Sequence, residues 1–494
     1  MEYQSTRNDN IVVNSLEAVL MGLSPDGGLF LPKDFGKIKF DWQEVMGLPT
    51  VEMAAKIMGA LLPEFEDMPG LCQKAYKGKF ETEDLTPVVK AGENRVAELF
   101  RGPTSAFKDV ALSMLPQLIC AAKKQLGKDE KTLILTATSG DTGKAALEGF
   151  HDIPGIGIIV FYPDGGVSQV QRLQMVTQEG ANVKVCAIRG NFDDAQTGVK
   201  NVFAKAEAEK VFEGTGIALS SANSINIGRL APQLTYYFKA YSDLLARGEI
   251  KAGEKLDFAV PTGNFGDILA GYFAKTLGLP VGKLICASNA NNVLFDFLTT
   301  GHYDRKRPFI KTTSPSMDIL VSSNLERMLY LACGDAARVA GWMKDLSEKG
   351  CYDVDEDTLS KLKETFFAAY ASDETAAETI KKVFEKEGYL MDTHTAVAWN
   401  ATEQYRTATG SDAPIAVLST ASPYKFPQAV LSAIAEKGEA LPQDEFEMME
   451  RLSEKTGVAI PKNLAGLKSR KVLHTDCIEP GEIFNYVMQK SREI

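Results

Sequence analysis

From Thr132 onward, short apolar runs rich in β-branched residues alternate with stretches long enough to be helices. Strands are expected over 132–138, 155–162 and 182–188, and again over 257–260, 283–287 and 415–418. A helix-length segment follows each of them, residues 168–178 being one, and this is the rhythm of parallel strands joined by crossover helices. The fold class is therefore α/β, with parallel sheets flanked by helices. Sheets of this kind bind ligands at the carboxyl ends of their strands, so residues just after a strand or at a helix start carry the functional interest.

The chain has 494 residues, too many for one simple core. Residues 1–94 mix short helical patterns with a Ser24-Pro25-Asp26-Gly27-Gly28 turn that leads into the apolar run Leu29-Phe30-Leu31-Pro32. They are read as an N-terminal cap domain, and 95–494 as the larger domain. Residues 320–410 read as mainly helical, with amphipathic periodicity over 358–370 and 375–384. A further helix is expected near 443–452, and the stretch after it shows no recognisable chemistry.

Composition removes several classes of function. A net charge of −11 and a pI near 5.2 argue against a nucleic-acid partner and against an anionic membrane surface. No run of about 18 apolar residues is present, so no membrane-spanning helix is expected. The start, Met1-Glu2-Tyr3-Gln4-Ser5-Thr6-Arg7, lacks the apolar core of a signal peptide, and the cytoplasm is the expected compartment. Seven scattered cysteines without a CxxC pair fit thiols in a reducing compartment. The four histidines lack ligand spacing, so no metal site is expected. Arg305-Lys306-Arg307 is read as a solvated loop.

Two segments point to chemistry. Gly102-Pro103-Thr104-Ser105-Ala106-Phe107-Lys108-Asp109 sets one lysine in a small-residue turn before an apolar helix. A lysine forms an imine with an aldehyde only as the neutral amine, which burial or neighbouring cations favour. Gly263-Asn264-Phe265-Gly266-Asp267 closes one predicted strand and opens a helix, so its backbone N–H groups and the helix dipole suit a phosphate. An amine and a phosphate cradle together point to pyridoxal phosphate.

Ser139-Gly140-Asp141-Thr142-Gly143-Lys144 resembles a nucleotide-binding P-loop only superficially. Thr138 stands where that motif needs its first glycine, and Ala145 where it needs Ser or Thr. Asn223-Ser224-Ile225-Asn226-Ile227-Gly228-Arg229 gathers amides, a hydroxyl and a guanidinium at a loop–helix junction. Arginine's fork suits phosphate oxygens, which makes Asn223, Ser224 and Arg229 candidates for a phosphorylated substrate. Arg172, Lys144 and Lys311 are weaker candidates for the same task.

These segments, with Tyr3-Gln4-Ser5-Thr6-Arg7 and Pro25-Asp26-Gly27-Gly28-Leu29-Phe30, resemble the threonine synthases, fold-type II pyridoxal-phosphate enzymes. The resemblance runs from Tyr3 to about Phe426 in family order. It implies a fold like the tryptophan synthase β chain, with a smaller mobile subdomain at about 130–228 that closes over the substrate. It implies Lys108 as the catalytic, cofactor-linked lysine and 263–267 as the cofactor-phosphate loop. Ser139, Gly140 and Thr142 are then expected to grip the substrate carboxylate. A hydroxyl is implied against the pyridine nitrogen, with Thr420 the candidate and Ser419 its neighbour. Asp141 stands where many fold-type II relatives place an asparagine beside the cofactor's 3-hydroxyl.

The reaction implied is conversion of O-phospho-L-homoserine and water to L-threonine and phosphate by β,γ-elimination and β-hydration. Two alternatives stay open at this level: a phospho-lyase that yields a 2-keto acid, and a catalytically silent metabolite-binding homologue. The expected partner is a small phosphorylated amino acid, and the expected assembly a monomer or homodimer.

Overall fold

The computed structural model describes residues 1–493, and two parallel sheets organise it. The larger sheet has six strands in the order Phe366–Tyr370, Val281–Ser288, Leu256–Pro261, Ile415–Ser419, Asn94–Glu98 and Val88–Ala91. All neighbours run parallel except the last pair, a hairpin that straddles residue 94. The smaller sheet has five parallel strands in the order Asp476–Ile478, Val183–Ile188, Ile156–Pro163, Lys131–Ala137 and Ile217–Ser220.

Burial explains why the strands read as continuous apolar runs rather than alternating ones. Leu256–Pro261 and Ile156–Pro163 are buried at every position, as strands covered on both faces must be. Ile217–Ser220, at an edge of the smaller sheet, has no fully buried residue. The expected strands and the helices near 168–178, 375–384 and 443–452 all form, as Gln169–Val176, Asp373–Glu387 and Glu445–Thr456 in the helical cases.

One helical expectation fails. The amphipathic helix read over 358–370 stops at Thr365, and Phe366–Tyr370 becomes an edge strand of the larger sheet. Short apolar runs are ambiguous in periodicity, and here aromatic content decided for the pleated surface. Phe366 is buried there, with its ring 5.3 Å from that of Phe265 in the glycine loop.

The end of the chain also has a structural task that its sequence did not show. Asp476–Ile478 supplies an edge strand to the smaller sheet, and Ile483–Lys490 packs Ile483, Tyr486 and Val487 against Ala195, Val199 and Val202. At the other end, an antiparallel sheet of Val12–Asn14, Glu2–Ser5 and Phe30–Pro32 anchors the first residues. No helix among the described residues is long and apolar enough to cross a membrane.

Candidate active site

Lys108 begins the helix Lys108–Gln125 and is buried. The turn before it is closed by Asp109, whose carboxylate accepts the Thr104 N–H at 2.8 Å and the Thr104 hydroxyl at 2.5 Å. Gly102 is required there, because a Cβ would lie 2.4 Å from the Asp109 carboxylate. Ser105 takes φ of 60°, a conformation costly for a residue with a side chain and typical of functional turns. The turn is also stitched to residues 420–422. The Phe107 N–H donates to the Thr420 carbonyl at 2.8 Å, and the Ser422 N–H to the Ser105 carbonyl at 3.1 Å. Thr420 is thereby brought beside Lys108, although 312 residues separate them in the chain.

The glycine loop approaches from the neighbouring strand. Phe265 has φ of 63° and its ring is fully buried, so it offers this site its backbone alone. Gly263 lets the loop pass the Ser316 carbonyl, which a Cβ would meet at 2.6 Å. Ser322 donates to the Gly263 carbonyl at 2.8 Å, and the Asn324 N–H to the Asn264 carbonyl at 3.0 Å. The Asn264 residue is exposed, and Gly266 opens the helix Gly266–Thr276. Asp267 turns its carboxylate to the N–H of Ile268 at 2.9 Å, and burial raises its pKa to about 6. Its side chain repels a phosphate when ionised, so only its backbone suits the cradle.

The loop from the smaller sheet completes the enclosure. Thr138 accepts the N–H groups of Gly140 at 3.0 Å and Gly143 at 2.8 Å, which fixes the turn into the helix Asp141–Phe150. Gly140 has φ of 140°, and a Cβ there would lie 2.5 Å from Gln171. Ser139 and Thr142 are half-buried at the start of this helix, the end where carboxylates are stabilised. Asp141 is buried and accepts from Gln171 at 2.9 Å and from Lys425 at 2.6 Å. Burial works to raise its pKa, but the charges of Lys425 and Lys108 hold it well below the usual carboxylate range.

Arg229 is buried, and one of its guanidinium nitrogens donates to the Ala222 carbonyl at 2.7 Å. Its Nε has no hydrogen-bond partner among the described residues, and burial lowers its pKa to about 10. A buried arginine with an unmet donor is expensive unless an anion comes to it. Asn223 is exposed and Ser224 half-buried on the loop just before it. Arg327 steadies that loop by donating to the carbonyls of Ile225 and, at 2.8 Å, Phe30.

Lys108 itself donates to the Ser316 hydroxyl at 3.3 Å and lies 4.5 Å from the Phe107 ring centre. Burial lowers its amine to about 8; Lys425 and Arg229 push the same way, while Asp141 and Asp267 oppose them. A cleft of about 920 Å³ reaches the site at Ser139 and Lys425, with Thr312, Thr313 and Phe426 also on its wall.

The weaker candidates separate cleanly. Lys144 is paired with Glu148 at 2.9 Å, Arg172 is exposed, and Lys311 lies on the wall of the cleft. The Ser419 hydroxyl is engaged with that of Thr395 at 2.9 Å, whereas among the described residues no side-chain bond ties up Thr420. Sequence reasoning missed Lys425, Gln171, Ser316 and His394. For Lys425 a signal existed: it is the one charge in the apolar, proline-bracketed run Ala421–Pro427.

Comparison with known proteins agrees along the chain. Residues 96–421 match the family described as pyridoxal-phosphate dependent enzyme. Residues 2–76 match the threonine synthase N terminus, and 395–470 the threonine synthase C-terminal region. The chain is 38% identical over 477 residues to a threonine synthase of Pseudomonas aeruginosa, covering 95% of this chain and 97% of that one. It is 37% identical over 438 residues to the human threonine synthase-like 1, covering 85% of this chain but spanning only 58% of that protein's length. The crystal structure of a pyridoxal-phosphate-bound threonine synthase from Brucella melitensis superposes with a TM-score of 0.87 at 37% identity, covering both chains fully.

Proposed function

Because this chain belongs to the threonine synthase family of pyridoxal-phosphate-dependent enzymes, we propose that it converts O-phospho-L-homoserine and water to L-threonine and phosphate. The observation that carries this reading is Arg229: a buried guanidinium with an unmet Nε donor, close enough to Lys108 to influence its titration. A site for unphosphorylated serine or threonine has no use for a buried guanidinium that no carboxylate neutralises.

The residues present fit pyridoxal phosphate. Lys108 offers a buried amine that titrates near 8, and 263–267 forms a cradle of backbone N–H groups at a helix start. The hydroxyl of Thr420 suits the pyridine nitrogen. When bound, the cofactor draws electrons from the substrate and makes its Cα and Cβ protons acidic.

The roles of the side chains follow from their chemistry. Lys108, whose amine burial brings down to about 8, takes the proton from Cα in its neutral form and can return it at a neighbouring carbon. Ser139, Gly140 and Thr142 hold the substrate carboxylate at the start of Asp141–Phe150. Arg229, with Asn223 and Ser224, binds the phosphate and stabilises its charge as the bond to Cγ breaks. The cleft wall at residues 139 and 425 joins the two sheets' loops, so closure of the smaller unit at about 130–228 would exclude water until hydration at Cβ. Seven free thiols support a reducing compartment, and we place the protein in the cytoplasm as a monomer or homodimer.

The test is to supply O-phospho-L-homoserine to the protein loaded with pyridoxal phosphate and to identify both products. Threonine formed in step with phosphate supports the proposal. A 2-keto acid in place of threonine refutes it in favour of a phospho-lyase, and no turnover leaves a silent homologue.

A further inference from the structure

Two lysines meet at this centre, and only one has a carboxylate. Lys425 ends the short helical turn Pro423–Lys425 that follows the strand Ile415–Ser419, and its side chain is wholly buried. Its ammonium lies 2.6 Å from the Asp141 carboxylate and 3.1 Å from the Thr104 carbonyl. Asp141 starts a helix of the smaller sheet, whereas Lys425 and Thr104 belong to the loops around the larger one. Lys108, by contrast, makes no ion pair among the described residues and has only the Ser316 hydroxyl as a hydrogen-bond acceptor. The charged groups acting on it are Asp141, Asp267, Lys425 and Arg229.

We propose that Lys425 is a positioning residue for the chemistry of Lys108: by taking Asp141 into a buried ion pair, it leaves Lys108 without a counter-ion and its amine free to react. This rests on the reading of Lys108 as the cofactor-linked lysine. A buried carboxylate that loses its partner recruits the next cation within reach, because an uncompensated interior charge is strongly unfavourable. For Asp141 the other cation is Lys108, which is buried, has no ion-pair partner among the described residues, and already acts on Asp141 by its charge. Pairing would hold Lys108 as the ammonium, which cannot attack an aldehyde or accept a proton.

The pair is more than a clasp between the two sheets. Asp141 also accepts from Gln171 at 2.9 Å, and the Thr104 carbonyl from Gln174 at 3.3 Å, a contact that itself spans the sheets. What Lys425 supplies beyond these bonds is an ammonium in direct contact with the Asp141 carboxylate. The same argument explains how an aspartate can stand where many fold-type II enzymes have a neutral asparagine: Asp141 and Lys425 together are neutral.

The experiment follows two quantities in the full-length protein. One is the pH midpoint at which Lys108 reacts with an amine-acylating reagent, read by peptide mass spectrometry after the cofactor is stripped. The other is the affinity for added pyridoxal phosphate, read from its visible absorption. Lys425→Met is expected to raise the midpoint by about one pH unit or more and to weaken cofactor binding about tenfold. Lys425→Arg keeps the charge and is expected to restore most of both. Asp141→Asn is expected to lower the midpoint, and the Asp141→Asn/Lys425→Met double variant to return it near the wild-type value.

An unchanged midpoint in Lys425→Met overturns the proposal, as does a double variant no closer to wild type than that single one. Should Lys425→Met not fold, a folded double variant with a wild-type midpoint supports the proposal and an unfolded one overturns it. A wild-type protein that takes up no pyridoxal phosphate defeats the reading of Lys108 and the proposal with it. Normal uptake with an indifferent Lys425→Met defeats the proposal alone.

Discussion

His394 accepts the backbone N–H of Ser316 through Nε2 at 3.1 Å, while its Nδ1 lies 2.6 Å from the Asp392 carboxylate. Both members of this dyad are buried, and the two contacts together require the neutral ring with its proton on Nδ1. The segment so held serves the site twice. The Ser316 hydroxyl accepts from Lys108 at 3.3 Å, and the Ser316 carbonyl lies against Gly263. His394→Ala leaves a half-buried N–H without its acceptor, which costs about 1 kcal/mol and weakens cofactor binding. His394→Gln, with an amide oxygen able to accept that N–H, should lose less of both. Thermal unfolding and a pyridoxal phosphate titration check this; equal losses in the two variants contradict it.

Gly263→Ala introduces a Cβ 2.6 Å from a backbone oxygen, where no flexible side chain can move aside. The loop or residue 316 must shift, at a cost of about 1–3 kcal/mol. The expected outcome is a lower unfolding midpoint with a larger loss of cofactor affinity. A variant that binds pyridoxal phosphate as wild type does contradicts the placement of the cradle.

Arg229→Leu separates substrate from cofactor. Losing a charge-assisted contact to phosphate should raise KM about 10- to 100-fold, with the cofactor's visible band retained. The chain itself should lose little stability, since a buried guanidinium with an unmet Nε gives way to an apolar group, at the cost of its bond to the Ala222 carbonyl. Arg229→Lys should recover little, because a point charge does not reproduce the fork. Steady-state kinetics and urea unfolding of the same samples test both halves.

Lys108 sets a pH dependence of stability in the cofactor-free protein. Its amine titrates near 8 when folded and near 10.4 when unfolded, so at neutral pH folding buries a charge. The cost is full below the folded value, shrinks as pH rises from there, and is gone above the unfolded one. Cofactor-free Lys108→Met should therefore be more stable than wild type by about 1–3 kcal/mol at pH 7, with a smaller gap at pH 9.5. Urea unfolding at the two pH values decides it, and a gap that widens with pH contradicts it.

Much of this was readable because parallel strands covered on both faces are plain apolar runs, as at Ile156–Pro163 and Leu256–Pro261. The segments around Lys108, residues 263–267 and Arg229 were legible because each concentrates its chemistry within a few neighbouring residues. Phe366–Tyr370 was misread because five apolar residues after a helix continue its pattern, and only the exposed flank of Val281–Ser288 turns them into a strand. Asp476–Ile478 was invisible for a related reason: three residues have no periodicity of their own. Lys425 and His394 act through partners far along the chain, at Asp141 and Ser316, and no local pattern records such a pairing.

The most direct measurement is to load the protein with pyridoxal phosphate, reduce it with borohydride, digest it, and locate the modified lysine by mass spectrometry. The account predicts one pyridoxyl group per chain, on Lys108. Modification at Lys425 or any other lysine, or none at all, would contradict it.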